Sequence, residues 1–124
     1  MKVSELNGAK LDYWVAKALG DRLARVIGIH EQERCETRFG EQWPWNRFMP
    51  SRAWMDGGPV IERMSIEWER QSSADGLDHG WTASVEPISK YPDPPWMWGE
   101  TQLIASMRAY VASKYGDEVP DAEG

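Results

Sequence analysis

The sequence predicts an α+β fold, in which a small, mainly antiparallel sheet packs against N-terminal and C-terminal helices, with two Trp/Pro-rich loops between them. Three observations predict it. Apolar residues recur at helical spacing near both ends of the chain, two segments in the middle alternate apolar and polar residues, and the aromatics that remain cluster where proline forbids regular helix. With 124 residues, 41% of them hydrophobic and 27% charged, the chain has the size and composition of one globular domain. That domain is expected over residues 1–116, with an acidic, frayed tail over 117–124.

The first helix is expected over roughly residues 8–19, where Leu11, Trp14, Val15, Ala18 and Leu19 form one apolar face. Asn7 is placed to cap its start and Gly20 to stop it. Ala24–Ile29 is short and rich in β-branched residues, and predicts a strand. Residues 30–38 are dense in charge and are expected as an exposed strand extension or loop.

Residues 39–54 hold Phe39, Trp43, Trp45, Phe48 and Trp54 together with Pro44 and Pro50, which predicts a structured aromatic loop. A short helix is expected to follow, capped by Ser51 or starting at Asp56-Gly57-Gly58 with Pro59 at its first position, and with Val60, Ile61 and Met64 turned inward. Ser65–Arg70 alternates, with Ile66 and Trp68 on the buried face; Trp81–Val85 alternates likewise. The two form a hairpin across a polar turn, Gln71–Gly80. Residues 87–98 carry four prolines with Tyr91, Trp96 and Trp98, and form the second aromatic loop. The clearest helix is the last, over roughly 101–115, with Thr101 as cap, Leu103, Ile104, Met107, Tyr110 and Val111 as buried stripe, and Gly116 as stop.

Charge narrows the partners. Fourteen Lys and Arg stand against 20 Asp and Glu, a net of −6, and the whole acidic excess lies in residues 63–124. Such a chain repels a phosphate backbone, so nucleic acid is not expected as the main partner. Arg34, Arg38, Arg47 and Arg52 still make a local basic patch. No apolar run reaches the length of about 18 residues that spans a membrane, and the first residues do not resemble a signal peptide. With a single cysteine, Cys35, no internal disulfide forms, and a cytoplasmic location is expected.

No metal site is expected, because His30, His79 and Cys35 form no recognised ligand pair. No catalytic residue stands out: acids flank Cys35, no serine sits in a nucleophile elbow, and no cofactor motif occurs. The sequence favours a non-catalytic protein.

The segment from Leu103 through Val119 resembles the C-terminal signature of the NinX-like family of bacteriophage proteins. Lys2-Val3-Ser4-Glu5-Leu6 with Leu11–Ala18 resembles that family's N-terminus, and Pro50-Ser51, Trp54 and Gly57–Arg63 follow in family order. The family pattern continues with Thr-Asp after Pro-Ser, where this chain has Arg52-Ala53. The resemblance implies phage or prophage origin and carries no biochemical function.

The aromatics are the strongest functional signal. Of eight tryptophans, Trp14, Trp68 and Trp81 are expected in the core. Trp43, Trp45, Trp54, Trp96 and Trp98, with Arg47 and Arg52, are the candidate binding residues: rings for stacking and guanidiniums for an anion. Gly57 and Gly58 join them if a helix begins there and turns its free N–H groups on an anion; a self-capped turn is the plainer reading. Three arrangements are open: a concave pocket for a small, planar, anionic, nucleotide-like ligand; a flat hot spot for a host protein or a second copy of the chain; or a lid in which the two loops pack on each other. The first would suit a phage protein that sequesters a signal of host defence.

Overall fold

The computed structural model describes residues 1–28, 33–38, 40–72, 78–85 and 96–120. After a 3-10 turn at Val3–Glu5, helix α1 (Gly8–Ala18) leads to strands β1 (Arg25–Ile27), β2 (Arg34–Thr37) and β3 (Asn46–Arg47). Helix α2 (Trp54–Met64) follows, then β4 (Ile66–Ser72), β5 (Asp78–Val85), β6 (Met97–Gly99) and helix α3 (Gln102–Tyr115). The class is the expected α+β. The strands divide into two antiparallel three-stranded sheets, β1-β2-β3 and β4-β5-β6. Among the described residues no helix is long and apolar enough to cross a membrane.

Helix α3 is the centre. Thr101 caps it as expected, its hydroxyl accepting from the Ile104 N–H at 3.1 Å, and Gly116 closes it in the left-handed region at φ 83°. Every residue from Ala105 to Ala112 is buried, Ser106 and Arg108 among them. A helix buried on all faces needs partners on all faces. β5 and β6 lie against one side, while α1, α2, β4 and the N-terminal turn close the rest. Arg108 is satisfied inside: Nε donates to the Leu6 carbonyl at 2.8 Å and Nη1 to the Trp98 carbonyl at 2.7 Å. Burial pulls its pKa down from the usual guanidinium value.

Helix α1 works on two sides. Leu11 and Val15 enter the main core, whereas Ala16 packs on Ala24 and Cys35 in a smaller cluster under the first sheet. Cys35 is therefore fully buried on β2, and the segment expected as exposed is a strand with a covered face. Ile29, His30 and Phe39 lie outside the described residues, as do the hairpin turn 73–77, most of the second aromatic loop including Tyr91, and residues 121–124. His79 falls on β5, and its side chain is likewise outside the description.

Four expectations need correction. The tail is not frayed as far as Pro120: the Met1 ammonium donates to the Val119 carbonyl at 2.8 Å, the Val119 N–H returns to Met1, and the Val3 N–H binds Asp117. Val119 itself is buried. Trp68 does not enter the core but remains 36% exposed, because β4 lies at one edge of the second sheet and α3 covers mainly β5 and β6. Trp14 and Trp81 do pack against the core. Trp98 belongs to strand β6 rather than to a loop. Finally, α2 starts at Trp54 after Ala53, not at Ser51 or Asp56, so Pro59 lies inside the helix, where its ring nitrogen cannot donate to the Met55 carbonyl.

The last correction changes the role of Gly57 and Gly58. They are helix-interior residues with no free N–H groups to offer, and the helix-start anion site is absent. Gly57 is a packing residue: a Cβ there would collide with the Pro50 carbonyl and come within 2.7 Å of Leu103 Cδ2, whereas a Cβ at Gly58 meets nothing within 4 Å. Adjacent glycine-to-alanine changes should therefore have opposite signs. Gly57→Ala should destabilise by about 1–3 kcal/mol through overpacking. Gly58→Ala should stabilise by about 0.5–1 kcal/mol through helix propensity. Urea denaturation of the two variants checks both.

Candidate functional site

The turn that ends α1, the edge of the first sheet and one side of α2 enclose a cleft of about 790 Å³. This volume is within the range of small-molecule sites. Its floor is apolar, from Ala16, Leu19, Phe48, Pro59 and Val60, and four arginines line it: Arg22 after α1, Arg38 after β2, Arg47 on β3 and Arg63 in the last turn of α2. Among the described residues none of the four makes an ion pair. The two acids in the cleft are engaged by backbone. Asp21 Oδ1 accepts from the Leu23 N–H at 2.8 Å, and Asp56 Oδ2 accepts from the Met49 N–H at 2.9 Å. Uncommitted guanidiniums over an apolar floor suit an anion with an apolar part, because each fork offers paired N–H donors to carboxylate or phosphoryl oxygens.

A second cleft, of about 430 Å³, lies between the Pro50 turn and the start of α3, lined by Arg52, Trp54, Trp81 and Glu100 among others. Its arginine is committed: Arg52 Nη2 stands 3.4 Å from Asp12 Oδ2, and the Ser51 N–H donates to Asp12 Oδ1 at 2.8 Å. Asp12 is fully buried on α1. Burial pushes its pKa up, against the opposing pull of Ser51 and Arg52.

The expected binding residues are thus divided. Arg47 lines the larger cleft; Arg52 and Trp54 line the smaller one. Gly57 packs against the Pro50 turn and Leu103, and Gly58 is an interior residue of α2 with open space at its Cβ position. Trp43 is 55% exposed in a turn, Trp96 is 50% exposed before β6, and Trp98 is 47% exposed on β6; neither cleft includes them. Trp45 stands beside the larger cleft, its ring under the guanidiniums of Arg25 and Arg38 at 3.8 and 4.7 Å. Trp54 meets Trp68 edge to face at 6.4 Å between centroids. Neither of the two clefts among the described residues gathers all five tryptophans, and Phe48 is the aromatic ring that lines the larger cleft.

Arg22 and Arg63 were not legible as site residues. Each reads as a solvated charge near a helix end, and only the folded chain brings the turn after α1 and the last turn of α2 to the same cleft as Arg38 and Arg47. Among the described residues no group of three potential metal ligands occurs. Burial and the nearby Asp12, Asp21 and Glu36 push the Cys35 thiol up to about 12, which leaves it protonated and inert at neutral pH.

Asp12 generates a prediction about pH. A carboxyl whose pKa is raised by folding stabilises the fold most while protonated. Its contribution is full below the usual carboxylate range, near pH ~4, and is lost as pH rises through the folded-state value. Asp12→Asn keeps an acceptor for the Ser51 N–H and removes the ionisation, so it should flatten the decline in stability between that range and neutrality. Asp12→Ala leaves the buried N–H without its acceptor and should cost about 1–3 kcal/mol at every pH. Urea unfolding across the pH range separates the two.

Residues 2–114 match the family model described as Bacteriophage P22, NinX. No curated protein matches the chain.

Proposed function

We propose, for a chain that belongs to the Bacteriophage P22 NinX family, a non-catalytic role in the host cytoplasm: this phage accessory protein binds and sequesters a small anionic ligand in the arginine-lined cleft. The observation that carries the reading is the set of four arginines, Arg22, Arg38, Arg47 and Arg63, which line one concavity and make no ion pairs among the described residues. The apolar floor accepts the uncharged part of such a ligand, with Phe48 as the available ring for a planar group. A nucleotide-like signal of host defence has both properties. Tryptophan stacking is not part of this reading.

A second reading rests on a different place. Trp54 and Trp68 form an edge-to-face pair at the surface, 51% and 36% exposed. Aromatic pairs of this kind anchor protein interfaces, with a host factor or a second copy of the chain as partner.

Calorimetry with pyrophosphate and a panel of nucleoside phosphates tests the first reading. Binding should weaken as salt rises. Arg47→Ala and Arg63→Ala should each weaken it by about 1.5–3 kcal/mol, the loss of one charge-assisted contact, while Arg52→Ala, at the other cleft, should leave it unchanged. If no phosphorylated ligand binds and a host protein is retained by the wild type but lost on Trp54→Ala, the interface reading replaces it.

A further inference from the structure

Trp45 lies outside the cleft, yet one of the cleft's arginines rests on its ring. The Arg38 guanidinium carbon stands 4.7 Å from the ring centroid, and that of Arg25 stands 3.8 Å from the same centroid. Arg25 is anchored in turn. Its Nη2 and Nε donate to Glu36 Oε1 at 2.8 and 3.2 Å, and Glu36 is its register partner on β2. Glu36 also takes Arg34 Nε on its other oxygen at 3.3 Å, and among the described residues no ion pair joins it to Arg38. Glu36, Arg25, Trp45 and Arg38 form a stack that runs from the first sheet to the cleft.

At the cleft end of this stack the Nε–H of Arg38 is buried and has no hydrogen-bond acceptor among the described residues. A buried charged donor without an acceptor is costly, and attraction to the tryptophan face offsets only part of that cost. Because Nε is closed to a water-sized oxygen, an anion in the cleft that Arg38 lines would meet the outer Nη edge of the guanidinium. A guanidinium laid on a ring face also keeps its N–H edge free for two oxygens in its own plane, the arrangement by which arginine grips a phosphoryl group.

We infer that Trp45 is a positioning residue, which holds the Arg38 guanidinium, with its Nε–H buried, so that the outer Nη edge meets a phosphoryl group bound in the cleft. The inference rests on the anion-binding reading above. Trp45 acts through Arg38 and does not stack on the ligand itself. This role differs from the one its sequence context suggests, and it gives the first sheet a function: the Arg25–Glu36 pair fixes one face of the ring that orients the arginine.

Two measurements on the full chain test it, with inorganic pyrophosphate as probe. The first follows the arginine Nε–H signals by nitrogen-15 NMR without ligand. The Arg38 signal should be protected from solvent exchange in the wild type, lose that protection in Trp45→Leu, and regain most of it in Trp45→Phe, while the Arg63 signal stays constant. The second is a double-mutant cycle on pyrophosphate affinity. Trp45→Leu should weaken binding about tenfold in the wild type, or about 1.4 kcal/mol, Trp45→Phe should restore most of it, and Trp45→Leu should add nothing in an Arg38→Ala background. Pyrophosphate binding with an Arg38 signal indifferent to Trp45, or a Trp45→Leu loss that persists in full without Arg38, overturns the positioning role alone. A Trp45-dependent Arg38 signal in a wild type that binds no pyrophosphate overturns the anion-binding reading, and the role of Trp45 falls with it.

Discussion

The fold depends on the burial of one helix that has no solvent face along its middle. From Ala105 to Ala112 every α3 residue is covered, and such a segment is stable only when other elements surround it. Small residues at Ala105, Ser106, Ala109 and Ala112 let those elements approach closely. The charge in the middle, Arg108, is tolerable because it reaches two carbonyls, of Leu6 and Trp98. Those carbonyls belong to segments that are far apart in sequence, so the buried cation ties the N-terminal turn and β6 to the same helix. Removing it would take the donor from the buried Leu6 carbonyl and cut the tie to β6.

The chain ends follow from the same constraint. With Leu6 fixed against α3, the first residues run alongside the segment that leaves the helix, and Met1, Val3, Asp117 and Val119 exchange backbone hydrogen bonds. α3 and the second sheet thus form a closed unit. The first sheet is attached to that unit chiefly through α1, which packs on α3 with one side and on β1 and β2 with the other. Three short strands under a single helix leave an uncovered flank, and α2 closes it only in part. The arginine-lined cleft is this gap. It exists because the first sheet lies away from the helix that organises everything else.

The regular elements were readable where local signals agree. The Thr101 cap, the Gly116 stop and the apolar spacing of α1 name their own structure, as does the alternation of β4 and β5. Errors arose where tertiary packing overrides a local cue. Gly57-Gly58-Pro59 has the composition of a helix start, but Gly57 is a glycine because the Pro50 carbonyl and Leu103 occupy the place of its side chain. Trp68 alternates in phase with Ile66, but phase reports the face of a sheet and not how far the covering helix extends. The density of tryptophan drew attention to residues 43–54, which do supply Arg47 and, through Trp45, the support of Arg38. Arg22 and Arg63 carry no such marker, since convergence from separate helix ends leaves no local trace.

Net charge proves a poor guide to this surface, for a reason visible in the acids near the arginines. Asp21 and Asp56 cap backbone N–H groups, Asp12 is buried under Ser51 and Arg52, and Glu36 holds Arg25 and Arg34. Hydrogen bonding to Arg25 and Arg34 keeps Glu36 below the usual carboxylate range, so it remains charged and fixed in place. Each of these four acids is engaged in shaping the first sheet or its flanking turns. None pairs with Arg22, Arg38, Arg47 or Arg63 among the described residues, so the cleft sets four guanidiniums against the two carboxylates of Asp21 and Asp56. A net charge of −6 over the whole chain therefore coexists with a local excess of positive charge along the lining of this cleft.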